Sequence, residues 1–259
     1  MTSEHVVVKQ QDAVLSLQLN RPESLNAFSP EMIEQLTEEV KAAGENDDVG
    51  AIVLSGAGRS FSAGGDVKTM GQAGPAETYD HIGELNKLIL AMRELEKPIV
   101  AAVHGFAAGA AFNLALASDL IVAAEDSKFV MSFAQVGLIS DGGGLYFLPR
   151  LIGPYRAKQL FFSAEPITAR QAHEWGIVNY VYPVDQLEQE ALALAERLAA
   201  GPGRTFGLLK KITDQAATSS LAEILEQERI TQAMMVTTDN HKEGVAAFKE
   251  KRKPDFNPR

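Results

Sequence analysis

No cysteine occurs among the 259 residues. That excludes disulfides, thiolate metal ligands and a cysteine nucleophile together. Cations are also scarce, with 24 Lys and Arg against 34 Asp and Glu for a formal net charge of −10. A general nucleic-acid binder needs clustered cations facing phosphates, so that class is excluded. A small anionic ligand needs only a few local donors and is not. The five histidines (His5, His81, His104, His173 and His241) show no ligand spacing, so no metal is expected. No uninterrupted apolar run is long enough to span a bilayer. The start, "MTSEHVVVKQQD", has neither a basic region nor an apolar one of the signal-peptide kind. The expectation is a cytoplasmic protein with neither membrane nor nucleic-acid partners.

What the chain does have is enough apolar residue, 46% of the total, to bury a sizeable core. "HVVVKQQDAVLSLQLNRP" sets two β-rich runs around a polar turn and predicts a hairpin. In "SPEMIEQLTEEVKAAG" Ser29 is placed to cap a helix, Pro30 to begin it and Gly44 to stop it. "GAIVLSGAG" and "KPIVAAVHG" are short apolar runs of the kind a sheet buries on both faces, with a helix between them from about Glu77 to Leu95. "AAGAAFNLALASD" has helical spacing, and "LIVAAEDSKFVM" returns to strand. Strand alternating with helix implies parallel pairing through right-handed crossovers. After about Pro183 the pattern is helix upon helix. The expected organisation is an α/β core over residues 1–183 and a helical region over 184–259.

Three segments could carry chemistry. "GRSFSAGGDVKTM" (58–70) is either a flexible turn or a loop whose bare backbone N–H groups face an acceptor. "HGFAAGAAFNLALASD" (104–119) opens a helix almost free of side chains. Its small residues serve either close packing or the exposure of orphan N–H groups at a positive dipole end. "VGLISDGGGLYFLPR" (136–150) sets a lone carboxylate, Asp141, before three glycines. Asp141 is either the N-cap of the next helix or a buried base whose pKa an apolar pocket raises. The glycine run lacks the P-loop lysine and the dinucleotide spacing. Ser62 and Ser132 lack a nucleophile-elbow context.

In this order and spacing, "NRPESLNAFS", "FSAGGDVK", "HGFAAGAAFNLALASD", "GLISDGGG" and "AFKEKRKPDF" resemble the crotonase (enoyl-CoA hydratase/isomerase) superfamily over essentially the whole chain. The resemblance implies a ClpP-like β-β-α superhelix with a C-terminal helical trimerisation region, and a homotrimer or dimer of trimers. It implies an acyl-CoA thioester substrate, coenzyme A being part of that substrate rather than a tightly bound cofactor. It implies that the N–H groups of Ala63 and Ala110, the latter beside Gly109, form an oxyanion hole. Coenzyme A would lie near Ser24 and Leu25 and across the backbone of Gly64 and Asp66. Phe248 and Lys251 match positions that reach a nucleotide from a neighbouring subunit.

Two departures from the family pattern narrow the reaction. The two glutamates of the hydratases correspond here to Asn113 and Phe133, neither of which takes a proton at neutral pH. Asp141 matches the aspartate of members that shift double bonds or rearrange a ring epoxide attached to CoA, the ring 1,2-epoxyphenylacetyl-CoA isomerases among them. Dehalogenases with an aspartate here add a histidine and a tryptophan where this chain has Asn86 and Phe133. The expected function is an acyl-CoA isomerase with Asp141 as the sole proton shuttle, in a pocket that Phe112 and Phe133 keep dry. Enoyl-CoA hydration and a catalytically silent CoA-binding scaffold are the alternatives. The acyl pocket would be shaped by the loop over residues 71–80.

Overall fold

The structure is a computed structural model that describes residues 4–66, 71 and 73–256. Residues 67–70 of the first glycine-rich loop and residue 72 of the loop 71–80 lie outside the described residues. In chain order the elements are β1 Val6–Gln11, β2 Val14–Leu19, α1 Pro30–Glu45, β3 Ala51–Gly56, α2 Pro75–Glu94, β4 Ile99–Val103, β5 Phe106–Ala108 and α3 Ala110–Ala117. There follow β6 Leu120–Ala124, β7 Lys128–Val130, α4 Gly144–Ser163, β8 Ile167–Thr168, α5 Ala169–Glu174, β9 Tyr180–Tyr182, α6 Leu187–Ala199, α7 Gly203–Ala216, α8 Leu221–Met235 and α9 Asp239–Glu250. No helix among the described residues is long and apolar enough to cross a membrane.

A six-stranded sheet runs in the order β1-β2-β3-β4-β6-β9, and β5-β7-β8 form a smaller second sheet. The hairpin pair β1–β2 is antiparallel, whereas β2, β3, β4, β6 and β9 are all parallel, as crossover connections require. Strand β4 is buried along its whole length because helices cover both faces. On one face Met32, Ile33 and Leu36 of α1 and Leu88 and Met92 of α2 meet Leu17, Ile52 and Ile99. On the other, Leu187, Ala191, Leu194 and Ala195 of α6 cover Val14, Val53, Val100 and Val122. Helix α6 falls within the helical region 184–259 and packs on the sheet.

Two local expectations are corrected. The first helix passes Gly44 and ends at Glu45, because the Asn46 N–H still finds the Ala42 carbonyl. Ser29 does cap it, accepting from the Met32 N–H. The run "LIVAAEDSKFVM" is two strands rather than one. A turn at Glu125–Ser127, closed by Ser127 N–H to the Ala124 carbonyl, sends β6 and β7 into different sheets. That jump carries the chain from the main sheet to the small one, beside which α3 begins.

Candidate active site

One wall is built by two segments that exchange buried hydrogen bonds. Leu25 and Asn26 both hold positive φ (53° and 55°), unusual for residues with a Cβ. The conformation persists because Asn26 is fully buried and its side-chain amide donates to the carbonyls of Ala57, Ser60 and Phe61. The Ser62 hydroxyl donates to the Asn26 carbonyl and accepts from the Gly64 N–H. Arg21 reaches the Asp66 carboxylate at 3.3 Å and the Ala27 carbonyl at 2.6 Å. The loop 62–66 is therefore a clamped turn and not a flexible one.

These bonds decide which N–H groups remain. The Ala63 N–H, expected to be an oxyanion donor, is given to the Leu25 carbonyl at 2.9 Å. It has no hydrogen left for a ligand, so that expectation is corrected. The Gly64 N–H is taken by Ser62. The next group along, Gly65 N–H, has no acceptor among the described residues.

The second wall is the start of α3, all eight residues of which are buried. Gly109 precedes it at φ 54° and ψ −122°, and its N–H is held by the Val130 carbonyl. Ala110, the first helical residue, keeps an N–H without an intrahelical partner at the positive end of the helix. The two walls nearly touch. A Cβ on Gly64, itself at φ +79°, would stand 2.3 Å from the Ala108 oxygen and 3.0 Å from the Ala110 nitrogen. Only glycine permits that approach.

Asp141 sits in the turn leading to α4. The cap of α4 is Gly143, so Asp141 is not its N-cap. Gly142 and Gly143 take φ of 54° and 89°, which folds the chain back sharply. The backbone carbonyl of Asp141 accepts from the Asn113 side chain at 2.6 Å. Its carboxyl is largely withdrawn from water, and Oδ1 is buried with no hydrogen-bond partner among the described residues. Burial pushes its pKa from 3.8 up to about 6, against a smaller lowering by a hydrogen bond from its own backbone N–H.

Phe133 packs over the helix start, its ring 3.6 Å from where a Cβ of Gly109 would be. Phe112 does not join it. That ring is wholly buried against Phe129, with centroids 5.1 Å apart, so it serves the core instead of drying a pocket.

The profile of the enoyl-CoA hydratase/isomerase family matches residues 9–259. The chain belongs to that family. It is 39% identical to the 1,2-epoxyphenylacetyl-CoA isomerase of Escherichia coli over 98% of each chain. Identity to the trans-2-decenoyl-[acyl-carrier-protein] isomerase of Streptococcus mutans is 34% over 99% of each. A hydratase is similar as well, the 2,3-dehydroadipyl-CoA hydratase of Escherichia coli, at 34% over 98% of this chain and 99% of that one. Among solved structures, the enoyl-CoA hydratase of Polaromonas sp. JS666 superposes with a TM-score of 0.94 at 35% identity, over 96% of this chain and 98% of that one. The fold is the crotonase fold.

Within this family member, the residues singled out in the sequence divide into two groups. Leu25, Ala63, Gly64, Asp66, Gly109, Ala110, Asn113, Phe133 and Asp141 come together around the start of α3, with Ser24 in the turn beside Leu25. Phe248 and Lys251 do not. Phe248 is 86% exposed and shares its surroundings with His241, Val245 and Phe256 of the C-terminal layer, and Lys251 closes α9. Gly65 was missed. The motif marked its loop, but the free N–H is identified only by the partners its neighbours find. A cavity of about 1090 Å³ lies between α2, α4 and α7, with Asn86, Phe147 and Lys210 in its lining but not Asp141.

Proposed function

We propose that this protein is an acyl-CoA isomerase that works through a thioester enolate, with Asp141 as its single proton shuttle. The observation that carries the reading is Asp141 itself: a carboxyl with an oxygen buried and unpartnered among the described residues and a pKa of about 6, and the family resemblance adds Asn113 and Phe133 at the positions of the two hydratase acids. A base poised near neutrality takes a carbon-bound proton far better than an ordinary surface aspartate.

In the proposed reaction the Asp141 carboxylate removes a proton from the carbon between the thioester carbonyl and the double bond of a 3-enoyl-CoA. The electron pair moves onto the thioester oxygen. The Gly65 and Ala110 N–H groups hold that oxyanion, each such donor being worth about 2.7–4 kcal/mol in a transition state. The enolate collapses as Asp141 returns the proton to a different carbon. The double bond has then moved and the carboxylate is regenerated, with no water consumed. In a ring epoxide the same oxyanion stabilisation would assist opening and rearrangement. Hydration instead calls for a second group to orient water, and the Phe133 ring offers none.

The test is isomerisation of a 3-enoyl-CoA in heavy water, run beside hydration of crotonyl-CoA. Deuterium incorporation with double-bond migration and little hydration supports the reading. Robust hydration that survives loss of the Asp141 carboxyl overturns it, and no exchange at all leaves the silent scaffold.

The reading includes trimers, alone or paired. Leu221, Leu225 and Ile230 on α8 are 74%, 53% and 54% exposed, apolar side chains that the protomer leaves uncovered. In such an assembly Phe248 and Lys251 would serve a neighbour's nucleotide. Light scattering that shows only monomer at micromolar concentration would remove both ideas. A cytoplasmic location is part of the same proposal.

A further inference from the structure

We infer that Asn113 is a positioning residue for Asp141: it clamps the turn that carries the proposed base to the same helix that carries the proposed oxyanion donor. The inference rests on the reading of Asp141 as the base. Asn113 is fully buried, and its side-chain nitrogen donates to the Asp141 carbonyl at 2.6 Å and to the Ser140 hydroxyl at 3.0 Å. A backbone carbonyl only accepts, so the nitrogen must be the atom facing it.

Three features make this clamp more than packing. First, Asn113 lies three residues after Ala110 on α3, which at 1.5 Å rise per residue is about 4.5 Å along the axis. One rigid, wholly buried helix thereby sets the offset between donor and base. Second, the turn it holds contains Gly142 and Gly143, both at positive φ, and its other bonds to the Asp141 carbonyl are long, from the Gly144 N–H at 3.3 Å and the Ser140 hydroxyl at 3.4 Å, so the Asn113 contact is the short one. Third, the Asn113 oxygen is buried with no partner among the described residues, a cost that an apolar side chain of equal size would avoid. Gly144 completes the fit. A Cβ there would come within 2.3 Å of the Asn113 oxygen and 2.4 Å of the Ser140 hydroxyl.

Two variants break the clamp from opposite sides. Asn113→Leu keeps the volume and removes the donors. Gly144→Ala leaves Asn113 in place but wedges its amide, and it does so at a helical position where alanine is intrinsically favoured. For each, kcat, KM and the pH profile of 3-enoyl-CoA isomerisation are measured beside Asp141→Asn.

The expected result is a kcat at least tenfold lower with KM within about twofold, in both variants. The acid limb of the profile should also move down from about 6 toward the ordinary aspartate range, because a released turn lets the carboxyl reach water. Unchanged kcat, or a lowered kcat with the limb still at about 6, overturns the inference. A merely structural Asn113 would lower Tm and the yield of active protein while leaving the limb in place. If Asn113→Leu does not fold, Gly144→Ala decides alone. Wild-type turnover in Asp141→Asn would instead bring down the assignment of the base, a separate outcome.

Discussion

Replacing Asp141 by asparagine should move catalysis and stability in opposite directions. The amide is nearly isosteric, and the backbone carbonyl that Asn113 holds is untouched. Turnover should fall by about 10²–10⁴-fold, the usual share of general acid–base catalysis, with little change in KM. Stability should rise, but only where the native carboxyl is ionised. Its folded pKa, about 6, lies above the 3.8 of an unperturbed aspartate, so the folded chain holds this proton more tightly than the unfolded one. Ionisation therefore costs nothing below about pH 4, and the full penalty applies above about pH 6. At about 1.4 kcal/mol per pKa unit the ceiling is about 3 kcal/mol, and partial solvation of the side chain brings the expectation to about 1–2 kcal/mol. Thermal melts of both proteins at pH 4 and pH 8 read this directly. The variant should gain a few degrees at pH 8 and nothing at pH 4. Wild-type kcat should rise with pH through about 6, since the base form does the work. A stability difference equal at both pH values, or a rate flat between pH 5 and 7, would refute the buried-base argument.

Other perturbations follow from the same geometry. Ala110→Pro removes the N–H at the first position of α3, where proline is tolerated, so the fold should survive while turnover drops by about 10²-fold or more. Retained activity in a folded variant would place the oxyanion elsewhere. Gly64→Ala should abolish turnover and lower Tm, because the new Cβ meets the Ala108 oxygen at 2.3 Å and forces the two walls apart. An active, unshifted variant would contradict the close approach. Lys210→Met should cost about 3 kcal/mol in a denaturant melt, since Lys210, 7% exposed, pairs with Asp119 and donates to the Met92 carbonyl, tying α7 to the core. Arg93 also reaches Asp119, so a much larger loss would mean that Arg93 does not compensate.

Much of this protein is local in origin and legible residue by residue. The hairpin, the Ser29 cap, the apolar runs of β3 and β4 and the small-residue start of α3 each follow from a few adjacent side chains. The lone acid at 141 was equally plain, whereas the significance of Asn113 and Phe133 came only from the resemblance to the family's motifs. Other features were settled only when the chain closed on itself. Whether Ala63 or Gly65 offers a free N–H depends on the Leu25 carbonyl, which approaches from far upstream. Whether Phe112 faces a ligand or the core depends on Phe129 in another sheet. The single apolar run after Asp119 became two strands because its halves found partners in different sheets. That Asp141 is not the cap of α4 was decided only when α4 took Gly143 instead, leaving one carboxyl oxygen buried without a partner among the described residues. Side-chain type and periodicity are properties of neighbours along the chain, whereas hydrogen-bond satisfaction and desolvation belong to neighbours in space. The groups proposed to react are identified by what their surroundings leave unsatisfied.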